Sequence, residues 1–119
     1  MKCLMIKPEY VIEILEGTKT IEYRTWPTKH RGDFFVGASS TRHMKGFLAA
    51  VASINTCIYN SQERCYEWYL DNIRPIRPIP IKGQLRLFET GIEDYEVLHT
   101  DEEIEKAFEE AQPILMKGR

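Results

Sequence analysis

Three ionisable side chains, Lys19, Glu22 and Arg24, fall within six residues, and their neighbours say how they are presented. Gly17 is placed to end a helix in the left-handed conformation that glycine adopts cheaply, and Thr20-Ile21-Glu22-Tyr23-Arg24 then alternates as a strand does. If Ile21 and Tyr23 face one side, Thr20, Glu22 and Arg24 project from the other. On such a face Lys19 and Arg24 suit phosphate, Arg24 bidentately, and Glu22 suits the amino group of a base. The same spacing also suits a structural ion pair between Glu22 and Arg24, which is compatible with ligand contact.

The charge around this strand is one-sided. Lys19, Arg24, Lys29, Arg31, Arg42 and Lys45 lie within 27 residues that hold only Glu22 and Asp33 as acids, with His30 and His43 interleaved. The whole chain carries a net charge of -2, but residues 1–92 have thirteen Lys/Arg against nine Asp/Glu and residues 93–119 have three against nine. The near-neutral total therefore hides a basic body, readable as a solvated face or as a phosphate-facing patch. Trp26, in a polar loop beside Pro27, is a candidate for stacking on an unpaired base, whereas Trp68 sits in an alternating apolar stretch that suits a core. His30 and His43 have no partner at metal-ligand spacing and read as surface residues.

The elements that must position these groups follow from periodicity. Cys3–Ile6 predicts a short strand. Pro8 opens a helix with Val11, Ile14 and Leu15 on its apolar face. Residues 25–32 predict a loop and Asp33–Ala38 a strand, followed by the polar loop Ser39-Ser40-Thr41-Arg42-His43. For Phe47–Tyr59 the alanines leave a helix open, and we read a long strand. Residues 66–70 alternate, the prolines hold Arg74–Pro80 extended, and Gln84–Glu89 predicts a last strand with Leu85 and Leu87 on one face. Thr100 and Glu103 form a capping box for an acidic helix over residues 100–112 that Pro113 limits, with Ile104, Ala107, Phe108 and Ala111 on one face to cover the sheet. Five or six mostly antiparallel strands, two helices and no βαβ rhythm predict an α+β fold, a closed or nearly closed small β-barrel with an N-terminal and a C-terminal helix packed on it.

At 119 residues, with 43% apolar residues and thirteen aromatics, the chain has the size and composition of a single domain, 1–119, that buries about two-thirds of its unfolded surface. The longest apolar run, Phe47–Ala52, is too short to span a membrane, and the start shows no signal sequence, so a soluble cytoplasmic protein is expected. Cys3, Cys57 and Cys65 make an odd number with no Cys-x-x-Cys pair, so no disulfide framework, metal site or cofactor is expected. Cys3 and Cys57, inside apolar runs, read as small buried hydrophobes.

The segment Gly17-Thr18-Lys19-Thr20-Ile21-Glu22-Tyr23-Arg24 resembles the Gly-x-Lys-x-x-Glu-x-Arg signature of the ASCH domain, a PUA-like β-barrel. Lys7-Pro8, Arg31-Gly32-Asp33, Ala38-Ser39, Tyr66-Glu67-Trp68-Tyr69-Leu70 and Pro78-Ile79-Pro80-Ile81-Lys82-Gly83 resemble further family segments in the same order, so that the likeness covers residues 3 to about 90. The resemblance implies a charged cleft that binds RNA or a modified nucleoside, with Lys7, Lys19, Thr20, Glu22, Arg24, Trp26, Lys29, Arg31, Ser39 and Ser40 as ligand-binding candidates. It also implies an alternative, since some small ASCH proteins remove the acetyl group from acetylcytidine with a lysine, a threonine and a glutamate, and ribonuclease activity is ascribed to others. Lys19 matches that lysine. The threonine position is occupied by Glu22, Thr20 is on another register, and only Glu63 and Glu67 loosely match the glutamate. Burial beside Arg24 favours the neutral amine that a base requires, whereas Glu22 favours the ammonium. A third reading is a protein-interaction module acting through the PxxP pattern of residues 75–78 or through the acidic helix.

Overall fold

The structure, a computed structural model, describes the backbone of residues 1–39 and 45–117, and the side chains of all of these except residue 108 and residues 111–117. Six strands form one mixed sheet: β1 (Lys2–Ile6), β2 (Ile21–Arg24), β3 (Gly32–Ser39), β4 (Lys45–Asn60), β5 (Cys65–Lys82) and β6 (Leu87–Glu89). Helix α1 (Pro8–Glu16) lies between β1 and β2, and α2 (Asp101–Lys117) ends the described chain. The strand order is β2-β5-β4-β3-β1-β6, with β1 and β3 parallel and the other pairs antiparallel.

The frame is the β4–β5 hairpin, whose strands run 16 and 18 residues. Three register shifts along β4–β5 and one in β3–β4 bend these strands and curl the sheet into a half-barrel. The expected closed or nearly closed barrel is thus an open one. Closure would require β2 to meet β6, and these edges are only four and three residues long. The alanines of β4 are no obstacle to a strand, because Ala49, Ala50 and Ala52 are buried where the sheet is covered and small side chains are what fits.

Both faces of the sheet carry a core. Val11 and Ile14 of α1 pack onto Leu4, Phe34, Val36, Ile54 and Trp68, while Ile92, Tyr95 and Val97 cover Cys3, Phe35, Leu48, Val51 and Ile76 on the other side. Burial of Cys3 pushes its thiol up to about 12, which keeps it protonated at neutral pH. Cys57, expected to be buried, is only half-buried, because it lies where β4 runs out of the core toward its exposed hairpin end.

The extended Arg74–Pro80 segment is not a separate element but the second half of β5. Prolines are tolerated there because β2 pairs only with Tyr66–Tyr69, leaving the later edge free of strand neighbours. Residues 96–98 partly cover that edge: Arg77 donates its amide to the carbonyl of Glu96 at 2.8 Å, and Leu98 donates to that of Pro75 at 2.9 Å. The last strand is shorter than Gln84–Glu89, because Arg86 has φ of 63° and breaks the extended run; Leu85 lies outside the strand and is 83% exposed. Helix α2 is longer than expected. It runs to Lys117 with Pro113 inside it, so the proline costs the helix one N–H bond without ending it. The capping box forms with a shifted partner: Glu103 donates its amide to Thr100 Oγ1 at 3.1 Å, but its carboxylate accepts from the amide of His99 at 2.8 Å. The α2 backbone packs on β4 and β5, and Ala107 is buried there; the expected positions of Phe108 and Ala111 on that face lie outside the described side chains.

Candidate nucleic-acid interface

Gly17, with φ of 84°, ends α1, and the carbonyl of Glu13 accepts from the amides of Thr18 and Lys19 at 3.0 and 3.1 Å. That tight reversal keeps Lys19 beside α1. Its ammonium lies 5.4 Å from the Tyr10 ring centroid and 5.2 Å from that of Tyr23, and it donates to the carbonyl of Ile21 at 2.7 Å. On β2 the alternation holds, but the polar face is the inner one. Glu22 lies opposite Trp68 and is buried, while Tyr23 lies opposite Glu67 and is half-exposed.

A buried lone carboxylate costs several kcal/mol, and Glu22 avoids that cost with two cations. Its Oε1 is 3.3 Å from Lys19 Nζ, and its Oε2 accepts from Arg24 Nε at 2.8 Å and lies 2.7 Å from Nη2. Arg24 Nη2 also donates to the carbonyl of Met5 at 3.1 Å, tying β2 to β1 across the open side of the half-barrel. The structural ion pair is therefore present, extended to a Lys19–Glu22–Arg24 cluster.

In that opening lies a cleft of about 740 Å³. It brings together Lys7, Lys19, Glu22, Arg24, Trp26 and Ser39 from the sequence-predicted set. Three cations thus face a single carboxylate. The Lys7 ammonium, Arg24 Nη1 and the Ser39 hydroxyl have no protein partner among the described residues, although Ser39 is 95% buried, being 5% exposed. Trp26 is half-buried, edge-on to Trp68 at 4.8 Å, with the Arg86 guanidinium 5.1 Å from its ring centroid. A base stacking on that covered face must displace Arg86. Trp68 is fully buried core and donates its indole N–H to the Trp26 carbonyl at 3.3 Å.

Other candidates do not reach the cleft. Arg31 folds onto its own loop, donating to the carbonyls of Thr28 and His30, and Lys29 projects from the same loop into solvent. Thr20 belongs to a neighbouring depression, and Ser40, with Arg42 and His43, lies outside the described residues. His30 Nε2 is 2.9 Å from the carbonyl of Asp33. Neither loose match for a catalytic glutamate lines the cleft: Glu67 is on the outer face, bonded to Asn60 and Tyr69, and Glu63 is exposed in the β4–β5 turn.

Sequence reasoning missed Tyr10, Tyr23 and Leu85, all of which line the cleft. Tyr10 carried a signal, being an aromatic residue that the helix period places away from Val11 and Ile14, whereas the strand period leaves open which side Tyr23 takes. Leu85 carried a misleading one, since it completes an alternating pattern that Arg86 interrupts. Among the described residues no three His, Cys, Asp or Glu side chains converge to hold a metal, and no helix is long and apolar enough to cross a membrane.

A six-stranded mixed sheet curled into a half-barrel with two helices is compatible with a PUA-like α+β fold. The ASCH domain model matches residues 4–114, and the chain belongs to that family, a member of the PUA-like superfamily. No curated protein matches it in sequence.

Proposed function

We propose that the chain binds RNA through the cleft between β1, β2 and the end of β3. ASCH domains are generally thought to bind RNA, and the chain's membership supports the reading. The observation that carries it is the surplus of unsatisfied donors: three cations line the cleft and its one carboxylate pairs with only two, while Lys7, Arg24 Nη1 and a buried Ser39 hydroxyl have no protein partner among the described residues. A buried hydroxyl without a partner costs about 1–3 kcal/mol, a loss that a bound phosphate or base edge recovers. Tyr10, Tyr23 and Trp26 supply aromatic walls for bases, and stacking is worth about 1–3 kcal/mol per base.

Glu22 takes a different part from the base reader its residue type suggests. With both oxygens engaged by cations, it fixes Lys19 and Arg24 and leaves their remaining N–H groups for the ligand. The cleft also supports binding over deacetylation, because Glu22 stands where the deacetylases have their threonine and neither Glu63 nor Glu67 lines the cleft beside Lys19. The PxxP stretch gives little support to the protein-module reading, its backbone being engaged within β5 and by residues 96–98. Fluorescence anisotropy with labelled single-stranded RNA at several salt concentrations tests the proposal. Affinity is expected to fall steeply with salt, and binding that is absent or indifferent to salt would overturn it.

A further inference from the structure

The cleft has a neighbour on the far side of Lys19. A second depression of about 320 Å³ is walled by Glu13, Thr18, Thr20 and Ile21, and it shares both Lys19 and Tyr23 with the first. The two hollows differ in chemistry. The first is lined by cations and aromatic rings, whereas the second is lined by two threonines and a glutamate beside the shared Lys19 and Tyr23. The hydroxyl of Thr20 and the carboxylate of Glu13 have no partner among the described residues; Thr18 Oγ1 donates to the Glu13 carbonyl at 3.2 Å and keeps its lone pairs. Between the hollows stands the Lys19 ammonium, flanked by two tyrosine rings, with one N–H left after its contacts to Ile21 and Glu22.

A hollow, a cation and a second hollow match the repeat of an oligonucleotide, which is nucleoside, phosphate, nucleoside. Glu13 repels a phosphate and accepts from ribose hydroxyls or base amino groups, so the second hollow suits the nucleoside part of a nucleotide and the shared lysine suits the linkage. Resting on the RNA-binding reading, we propose that the ligand is an oligonucleotide of at least two units, with its linking phosphate at Lys19, one nucleoside in the cleft and the next in the Glu13–Thr20 depression. Free nucleosides and mononucleotides fill only half of the site.

The test compares the four ribonucleoside 5′-monophosphates with the four ribo-homotetranucleotides by isothermal titration at fixed ionic strength, for the wild type, Thr20→Phe and Thr20→Val. In the wild type at least one tetranucleotide is expected to bind about tenfold more tightly than its mononucleotide, the scale of one stacked base. Thr20→Phe, which fills the depression without changing charge, is expected to remove that advantage, and Thr20→Val, which keeps the shape and deletes only the hydroxyl, to reduce it about threefold. Equal affinity for mono- and tetranucleotides overturns the second subsite and leaves the cleft reading standing. A tenfold advantage that survives both substitutions also overturns it, because added phosphate charge then suffices. Failure of every probe to bind overturns both readings.

Discussion

In the cleft two of three cations share one buried carboxylate and the third has none, whereas along the later half of β5 each arginine has its own exposed one: Arg77 Nε lies 2.7 Å from Glu96 Oε2, and Arg74 Nη2 lies 2.7 Å from Asp33 Oδ1. The β5 pairs are closed and wet. Water screens them, and nothing about them asks for a ligand. At the cleft Glu22 is 5% exposed, so its charge is paired out of necessity, and the pairing still leaves positive charge and free donors facing a hollow. Two sets of arginine–carboxylate contacts with the same distances therefore have different consequences, and burial and stoichiometry make the difference.

The largest test of this contrast is Glu22→Gln. Removing the buried charge leaves Lys19 and Arg24 partly buried without a counter-ion and loosens the tie from β2 to Met5, so a loss of about 3 kcal/mol in urea unfolding is expected. An effect below about 1 kcal/mol would mean that the cluster is as solvated as the β5 pairs. Lys7→Ala comes next and should act on binding alone. Lys7 is exposed and unpaired among the described residues, so the melting temperature is expected to hold while RNA affinity falls severalfold. The slope of log affinity against log salt should become shallower by about 0.7, the signature of one lost phosphate contact to a single strand. An unchanged slope would remove Lys7 from the interface.

Local rules made much of this legible in sequence. Pro8 and Gly17 bound α1 because both act through their own backbone, and the alternation of Thr20–Arg24 put Glu22 and Arg24 on one face because the strand period is two. Which side that face takes was not legible. Alternation leaves both sides open, and the open half-barrel turns Glu22 and Arg24 inward and Tyr23 outward, a choice made by Trp68 and α1 at long range. The basic stretch misled: Arg31 is as cationic as Arg24, but its carbonyl partners are in its own loop, and sequence proximity does not carry it to the cleft. The one long β5 was concealed by its prolines, which are compatible with a strand only where one edge lacks a neighbour. Leu85 and Arg86 join the cleft region because a positive φ stops the strand, a conformation that alternation cannot reveal.

The smallest effect belongs to Glu96→Gln, and its sign with pH is the informative part. The hydrogen bond from Arg77, followed by the charge of that guanidinium, holds the Glu96 carboxyl below its ordinary 4.5. A carboxyl whose folded value is depressed contributes stability that is complete above its unfolded value and is lost as pH falls through the folded one. The wild type should therefore be only slightly more stable than Glu96→Gln at pH 7, because both side chains are more than half exposed to water and salt. The gap should persist to about pH 5, close as the pH drops below 4.5, and shrink in high salt at neutral pH. Chemical denaturation of both proteins at pH 7, 5 and 3 measures it. A gap at pH 7 as large as that of Glu22→Gln, or one that widens in acid, would mean that the Arg77–Glu96 pair is a buried anchor like Glu22, and the distinction between the two sets of charges would fail.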